Sequence, residues 1–201
     1  MKSKILQSLH RDHANQIQLL NLIAREIDKL PSDRPAPSYE LITLALEYCA
    51  DYPSRYHHPR EDFLYAKLAE RAPAIAGRTV VLTDDHATLN ALTQEFAVAL
   101  ADAIAGNEPD NLRSVAGKFL AHYRRHINIE ESEIFPIASE VLTDEDWIEI
   151  ENALEEMADP LFSEHTRRSY LALQRRIIEY ANAQKRKAAM DRSHSAGYTA
   201  A

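Results

Sequence analysis

Only 4 glycines occur among the 201 residues, too few for the many tight turns of an all-β design. The single cysteine, Cys49, excludes an intrachain disulfide and any zinc or iron–sulfur site built from several thiolates of one chain. No apolar run is long enough to span a bilayer, and the first residues do not read as a charged-then-apolar signal segment. An excess of positive charge is missing too: 23 Lys and Arg face 31 Asp and Glu, for a formal net charge of -8. That balance speaks against nucleic acid and anionic membranes as partners. What is present is 45% hydrophobic and 27% charged residues, enough for one domain with a real core and an appendage. The expectation is an acidic, cytoplasmic, helical protein.

Helical periodicity dominates the chain. In residues 3–30 an apolar stripe runs through Leu9, Ile17, Leu20, Ile27 and Leu30, with His13 inside it. Prolines at 31, 35 and 37 end that helix, and Ser38 is placed to cap a second one. Its inward line is Ile42, Leu46, Cys49, His57, Glu61, Leu64 and Leu68, and Pro53 and Pro59 predict a kink or break within it. After a connection at 72–77, a third helix carries Leu82, His86, Leu89, Phe96, Leu100 and Ile104 on one stripe. Gly106 suits its C-terminus and Asp110 the cap of a fourth helix, which runs to about Val141. Four long amphipathic segments with short loops predict an all-α, antiparallel up-down four-helix bundle over 1–142. Beyond it, 143–187 reads as a C-terminal helical extension and 188–201 as a disordered tail. That extension would lie on the bundle or form a homodimer.

Chemistry enters with His126-Ile127-Asn128-Ile129-Glu130. An imidazole and a carboxylate four residues apart share one helix face, and Phe119, Tyr123 and Ile134 extend that face toward the core. A buried unpaired carboxylate costs several kcal/mol, and a metal ion removes that cost for both residues at once. The arrangement occurs twice. Asp12-His13 is matched by Asp85-His86, and His57-x-x-x-Glu61 by His126-x-x-x-Glu130. Each half supplies one inward histidine on its first helix and one His-Glu pair on its second. Four histidines (His13, His57, His86, His126) and two carboxylates (Glu61, Glu130) make six candidate ligands. If both carboxylates bridge, each of two metals receives two nitrogens and two oxygens, a set that suits iron or manganese better than a single zinc.

Neighbouring groups receive lesser readings. His58-x-x-x-Asp62 repeats the spacing one residue along, but His58 corresponds to Ile127 in the second half, so His57 is preferred. Asp12 and Asp85 read as capping residues or supports for the ligands, and His10 as a hydrogen-bonding neighbour. His122 stands four residues before His126 and is left outside the ligand set. Asp62, Glu131 and Glu133 read as a solvated face, and Cys49 as a small core residue.

Through Asp12-His13, His57-His58-Pro59-Arg60-Glu61-Asp62, Asp85-His86 and His126…Glu130-Glu131 followed by Phe135-Pro136, the chain resembles the hemerythrin-like HHE cation-binding family over roughly residues 5–140. The resemblance implies a bundle holding two non-haem irons, bridged by carboxylates and an oxo group, and the same six ligands. Manganese and zinc are the other candidate metals. Oxygen-carrying members use five histidines, with a His-x-x-x-His pair on their third helix, where this chain offers only His86. The function expected is binding or sensing of oxygen, nitric oxide or peroxide. Peroxide or nitric oxide detoxification, iron-centre repair, and an iron-responsive interaction protein are the alternatives.

Overall fold

Local capping chemistry sets the helix boundaries of the computed structural model, which describes residues 3–30, 36–107, 109–157 and 164–197; no strand occurs among them. Helix α1 (Lys4–Ile27) opens at Ser3, whose hydroxyl accepts from the Ile5 N–H at 3.1 Å. Ser38 caps α2 (Tyr39–Tyr52) as expected, accepting from the Leu41 N–H at 3.4 Å. Residues 31–35 of the expected proline-rich connection fall outside the described residues, as does the side chain of Asp110.

The prolines of the second helix act in an ordered way. Pro53 opens a π-type turn, Pro53–His57, closed by the His58 N–H donating to the Pro53 carbonyl five residues back. Helix α3 (His58–Arg71) follows without interruption, and Pro59 sits in its first turn. A short turn, Pro73–Ile75, leads to α4 (Ala76–Ile104). Gly106, at φ +88°, ends it in the left-handed conformation that favours glycine. Helix α5 (Pro109–Ile129) runs into a second π-type turn, Glu130–Ile134, and then α6 (Phe135–Val141). Such turns are enriched at functional sites. Here each half of the chain has one beside its His-Glu pair.

Two apolar layers share the bundle. One gathers Ile5, Leu6 and Leu9 of α1, Leu64 and Leu68 of α3, Leu82 of α4, and Ile134 and Ala138. The other gathers Leu20 and Ile27 of α1, Leu41 and Leu46 of α2, Phe96 and Leu100 of α4, and Leu112 and Phe119 of α5. Each successive helix therefore enters one layer and leaves through the other, which is the antiparallel up-down order. Between the layers lie His13, His57, Glu61, His86, His126 and Glu130. A polar stratum interrupts the core at the level of both π-type turns.

The extension lies on the bundle. Helix α7 (Asp144–Met157) packs on α3, with Trp147 and Ile150 buried in the first layer. Thr143 and Asp146 cap it reciprocally, and Arg71 Nη2 reaches Asp146 Oδ1 at 2.7 Å. Helix α8 (Glu164–Gly197) lays Ile177 and Ala181 against α1 and α2. It runs past the expected end at 187, so the segment expected as a tail is helical as far as Gly197, and 198–201 lie outside the described residues. No described helix is long and apolar enough to cross a membrane.

Candidate metal centre

All six sequence-predicted residues meet in the stratum between the two apolar layers. His57, Glu61, His126 and Glu130 are at most 1% exposed, and His13 and His86 are also buried. His57 Nε2 lies 2.9 Å from Glu61 Oε1, so the break at Pro53 leaves that pair in register. His126 Nε2 lies 3.2 Å from Glu130 Oε1 in the other half. The halves then cross. His13 Nε2 stands 3.3 Å from Glu61 Oε1 and 3.2 Å from Glu130 Oε2, and His86 Nε2 is 3.5 Å from Glu61 Oε2.

These contacts are close but poorly aligned as hydrogen bonds. Nε2 of His13, His86 and His126, both oxygens of Glu61 and Oε2 of Glu130 are buried without a hydrogen-bond partner. A native core rarely leaves so many polar atoms unsatisfied in one place. Donor atoms that converge without bonding one another fit a shared cation at their centre.

An outer carboxylate faces the far nitrogen of each of the four histidines. His13 Nδ1 donates to Glu131 Oε1 at 2.7 Å, and His57 Nδ1 lies 3.5 Å from Asp12 Oδ2. His86 Nδ1 is 3.2 Å from Asp62 Oδ1, and His126 Nδ1 is 3.8 Å from Asp85 Oδ2. The pattern respects the internal repeat. Each Asp that precedes an inward histidine supports the His-Glu histidine of its own half. Each acid that follows a glutamate supports the inward histidine of the opposite half. The hydrogen bond from His13 to Glu131 fixes ring orientation and raises basicity, and the other three acids stand within ion-pair distance of their rings without a hydrogen bond.

Asp12 and Asp85 lie beside candidate ligands, the position that the sequence reading expected, whereas Asp62 and Glu131 do not form a merely solvated face. Both are partly exposed, which is why hydrophobic patterning missed them; their shared place one residue after Glu61 and Glu130 was the signal available. His10 donates to Glu131 at 2.7 Å, the neighbourly role expected of it. His122 faces Asp85 at 3.3 Å and stays outside the cluster. Tyr65 was not singled out, and its buried hydroxyl donates to Glu130 Oε1. Phe135 stacks on His13, centroids 5.3 Å apart. His58, set aside in favour of His57, is buried too and lies flat on His86, centroids 3.9 Å apart.

Charge follows from this packing. Burial alone would push the Glu61 carboxyl up, but His57, His13 and His86 hold it well below the usual range. Burial and the charge of Glu61 raise Glu130, yet His126 and His13 bring it down. Burial disfavours protonated His13, and the nearby carboxylates of Glu130, Glu131 and Glu61 outweigh this and hold it well above the ordinary imidazole value. His86, likewise opposed by burial, is pushed up to about 9 by Asp62 and Glu61. In the metal-free chain, protons on His13 and His86 take the part that a cation would play. His58 goes the other way: burial and the neighbouring His86 charge keep it neutral.

Among the described residues two overlapping groups could hold a metal ion, His13 with His57 and Glu61, and His58 with Glu61, His86 and His126. In each, one donor atom per residue lies within 4.8 Å of every other. Fold and site together define a helical bundle with a buried histidine–carboxylate cluster able to bind metal cations. A family model, the hemerythrin HHE cation binding domain, matches residues 4–138, and the chain belongs to that family. Searches of curated proteins and of solved structures gave no significant match.

Proposed function

We propose that the cluster holds two non-haem iron ions and that the protein binds or senses a small ligand, dioxygen, nitric oxide or peroxide, at them. One observation carries this reading: each buried glutamate divides its oxygens between two groups of histidines. Glu61 turns Oε1 to His13 and His57 and Oε2 to His86. Glu130 turns Oε2 to His13 and Oε1 to His126. Carboxylates so divided suit two ions better than one. His13 and His57 would hold the first ion, His86 and His126 the second, and both glutamates would be shared. Nitrogen with carboxylate oxygen suits iron, with manganese and zinc as the alternative metals.

Ferrous ions, when bound, supply electrons and an open coordination position for the small ligand. The chain's own residues do the rest. Glu131, Asp12, Asp62 and Asp85 hold the imidazoles in orientation. Tyr65 keeps its proton, because burial and the charges of Glu61 and Glu130 raise its hydroxyl, and so it remains a donor to Glu130. A depression of about 420 Å³, lined by residues including Leu6, His10, Glu131 and Phe135, abuts the cluster, since Glu131 and Phe135 both touch His13. The larger groove between α2 and α4, lined by Leu46, Ala50, Asn90 and Thr93 among others, contains none of the cluster's residues.

Anaerobic reconstitution with ferrous iron tests the reading. The expected result is two irons per chain and an absorption change on adding oxygen, nitric oxide or peroxide separately, the strongest response naming the ligand class. One iron or fewer per chain, or two irons inert to all three, would overturn it.

A further inference from the structure

Six ligands and four outer carboxylates leave one buried histidine unexplained. His58 is 5% exposed, and its Nε2 is enclosed without a hydrogen-bond partner. Among the described residues no carboxylate lies within ion-pair distance of it, unlike the other four histidines of the stratum. Its ring lies parallel to His86, 6° between planes, and edge-on to His126 with centroids 6.1 Å apart. One of its nitrogens falls within 4.8 Å of donor atoms on Glu61, His86 and His126.

The backbone explains how two consecutive residues both reach the interior. In a regular α-helix neighbours diverge by about 100° around the axis, so His57 and His58 would be buried toward different sides rather than aimed at one cluster. The π-type turn Pro53–His57 is wider and advances each residue by less, and its closing bond is made by the His58 N–H itself. The repeat makes the contrast plain. Ile127 stands at the matching position of the second half and is simply buried among apolar neighbours. Packing there requires no imidazole. Nor does α4 offer another nitrogen: one turn either side of His86 stand Leu82, buried in the core, and Asn90, whose Oδ1 accepts from Ser54 at 3.0 Å.

The geometry points to His58 as a third imidazole ligand on the His86–His126 ion, delivered from the second helix of the bundle by its π-type turn. This rests on the two-ion reading above. The two metal positions are then unequal, three nitrogens against two, and the His58–His86–His126 position fills first as metal is added.

Anaerobic titration of the metal-free full chain with ferrous iron, followed by Mössbauer spectroscopy, tests this. The wild-type protein should take two ions in separable steps, with one quadrupole doublet at half loading and two at full loading. In His58→Ala the affinity of the first step should fall at least ~10-fold, the lower end of what even an outer partner of a ligand contributes. Its two doublets should also converge, and free imidazole should restore the wild-type spectrum, which a packing role would not allow. Should His58→Ala lose its helical circular dichroism, His58→Gln, of similar size, is read in the same way. Two ions bound by the variant with wild-type affinities and spectra would overturn the proposal and leave the two-ion reading standing. A wild-type chain that takes fewer than two ions would overturn both.

Discussion

Replacing Asp12 by Asn probes the support beneath the cluster without touching a proposed ligand. Asp12 is 1% exposed; it accepts from the Tyr52 hydroxyl at 3.1 Å and from Arg60, and it faces His57 Nδ1 at 3.5 Å. Burial pushes its carboxyl up, but His57 and Arg60 outweigh burial and hold it at about 2 against an ordinary 3.8. A depressed acid contributes stability that is fully present above its unfolded value and is lost as pH falls through its folded one. From these values the contribution at neutral pH is about 2 kcal/mol. Asn keeps an acceptor for Tyr52, removes the charge, and sets an amide N–H where Oδ2 accepted from Arg60. Urea denaturation of metal-free Asp12→Asn should therefore show a loss of about 2 kcal/mol at pH 7. That gap should hold steady down to roughly pH 4 and narrow below it. In the same variant, metal affinity should drop by roughly 10- to 100-fold as His57 loses its orienting partner. A loss under about 0.5 kcal/mol, the level of an ordinary surface change, would refute this reasoning. So would a gap that changes between about pH 5 and 8, because it would belong to another titrating group.

Three further expectations follow from the same geometry. His13 and His86 hold protons that a metal must displace; the stability they give the metal-free chain is present below about 6.5 and is lost as pH rises through their folded values, about 9 for His86. The rise in melting temperature produced by added ferrous iron should therefore grow from pH 6.5 to 9, and a flat or falling profile in anaerobic thermal scans would contradict this. Inserting one alanine after Ser54 adds a residue beyond the one that the π-type turn absorbs and should rotate α3 by about 100° relative to α2, leaving helical circular dichroism largely intact while abolishing two-ion binding; retained binding would show that the turn does not set the ligand register. Cys49 is buried, and burial pushes its thiol up to about 12, so it should resist thiol-specific reagents in the folded chain and react fully in denaturant; fast labelling of the native protein would count against the packing described around it.

Much of the site was legible because ligands on helices obey a period. His13, Glu61, His86 and Glu130 stand where a core stripe calls for an apolar residue, and the duplication shows which polar residues are inward by design. The bundle was legible for the same reason. Less visible were groups that act through their neighbours. Asp62 and Glu131 are partly exposed and look like ordinary helix surface until the opposing histidines are in place. His58 was passed over because the repeat pairs it with Ile127, and the local widening after Pro53, which the second half lacks at that position, is a backbone feature with little trace beyond the proline. The length of α8 was missed because its composition alone resembles a solvated tail, whereas Ile177 and Ala181 dock its earlier turns on α1 and α2.

Anomalous diffraction at the iron absorption edge, on crystals of the iron-loaded chain, tests the central claim most directly. Two peaks roughly 3.5–4 Å apart are expected between Glu61 and Glu130, one against His13 and His57 and the other against His86 and His126. A single peak, or peaks that lie away from these carboxylates, would contradict the account.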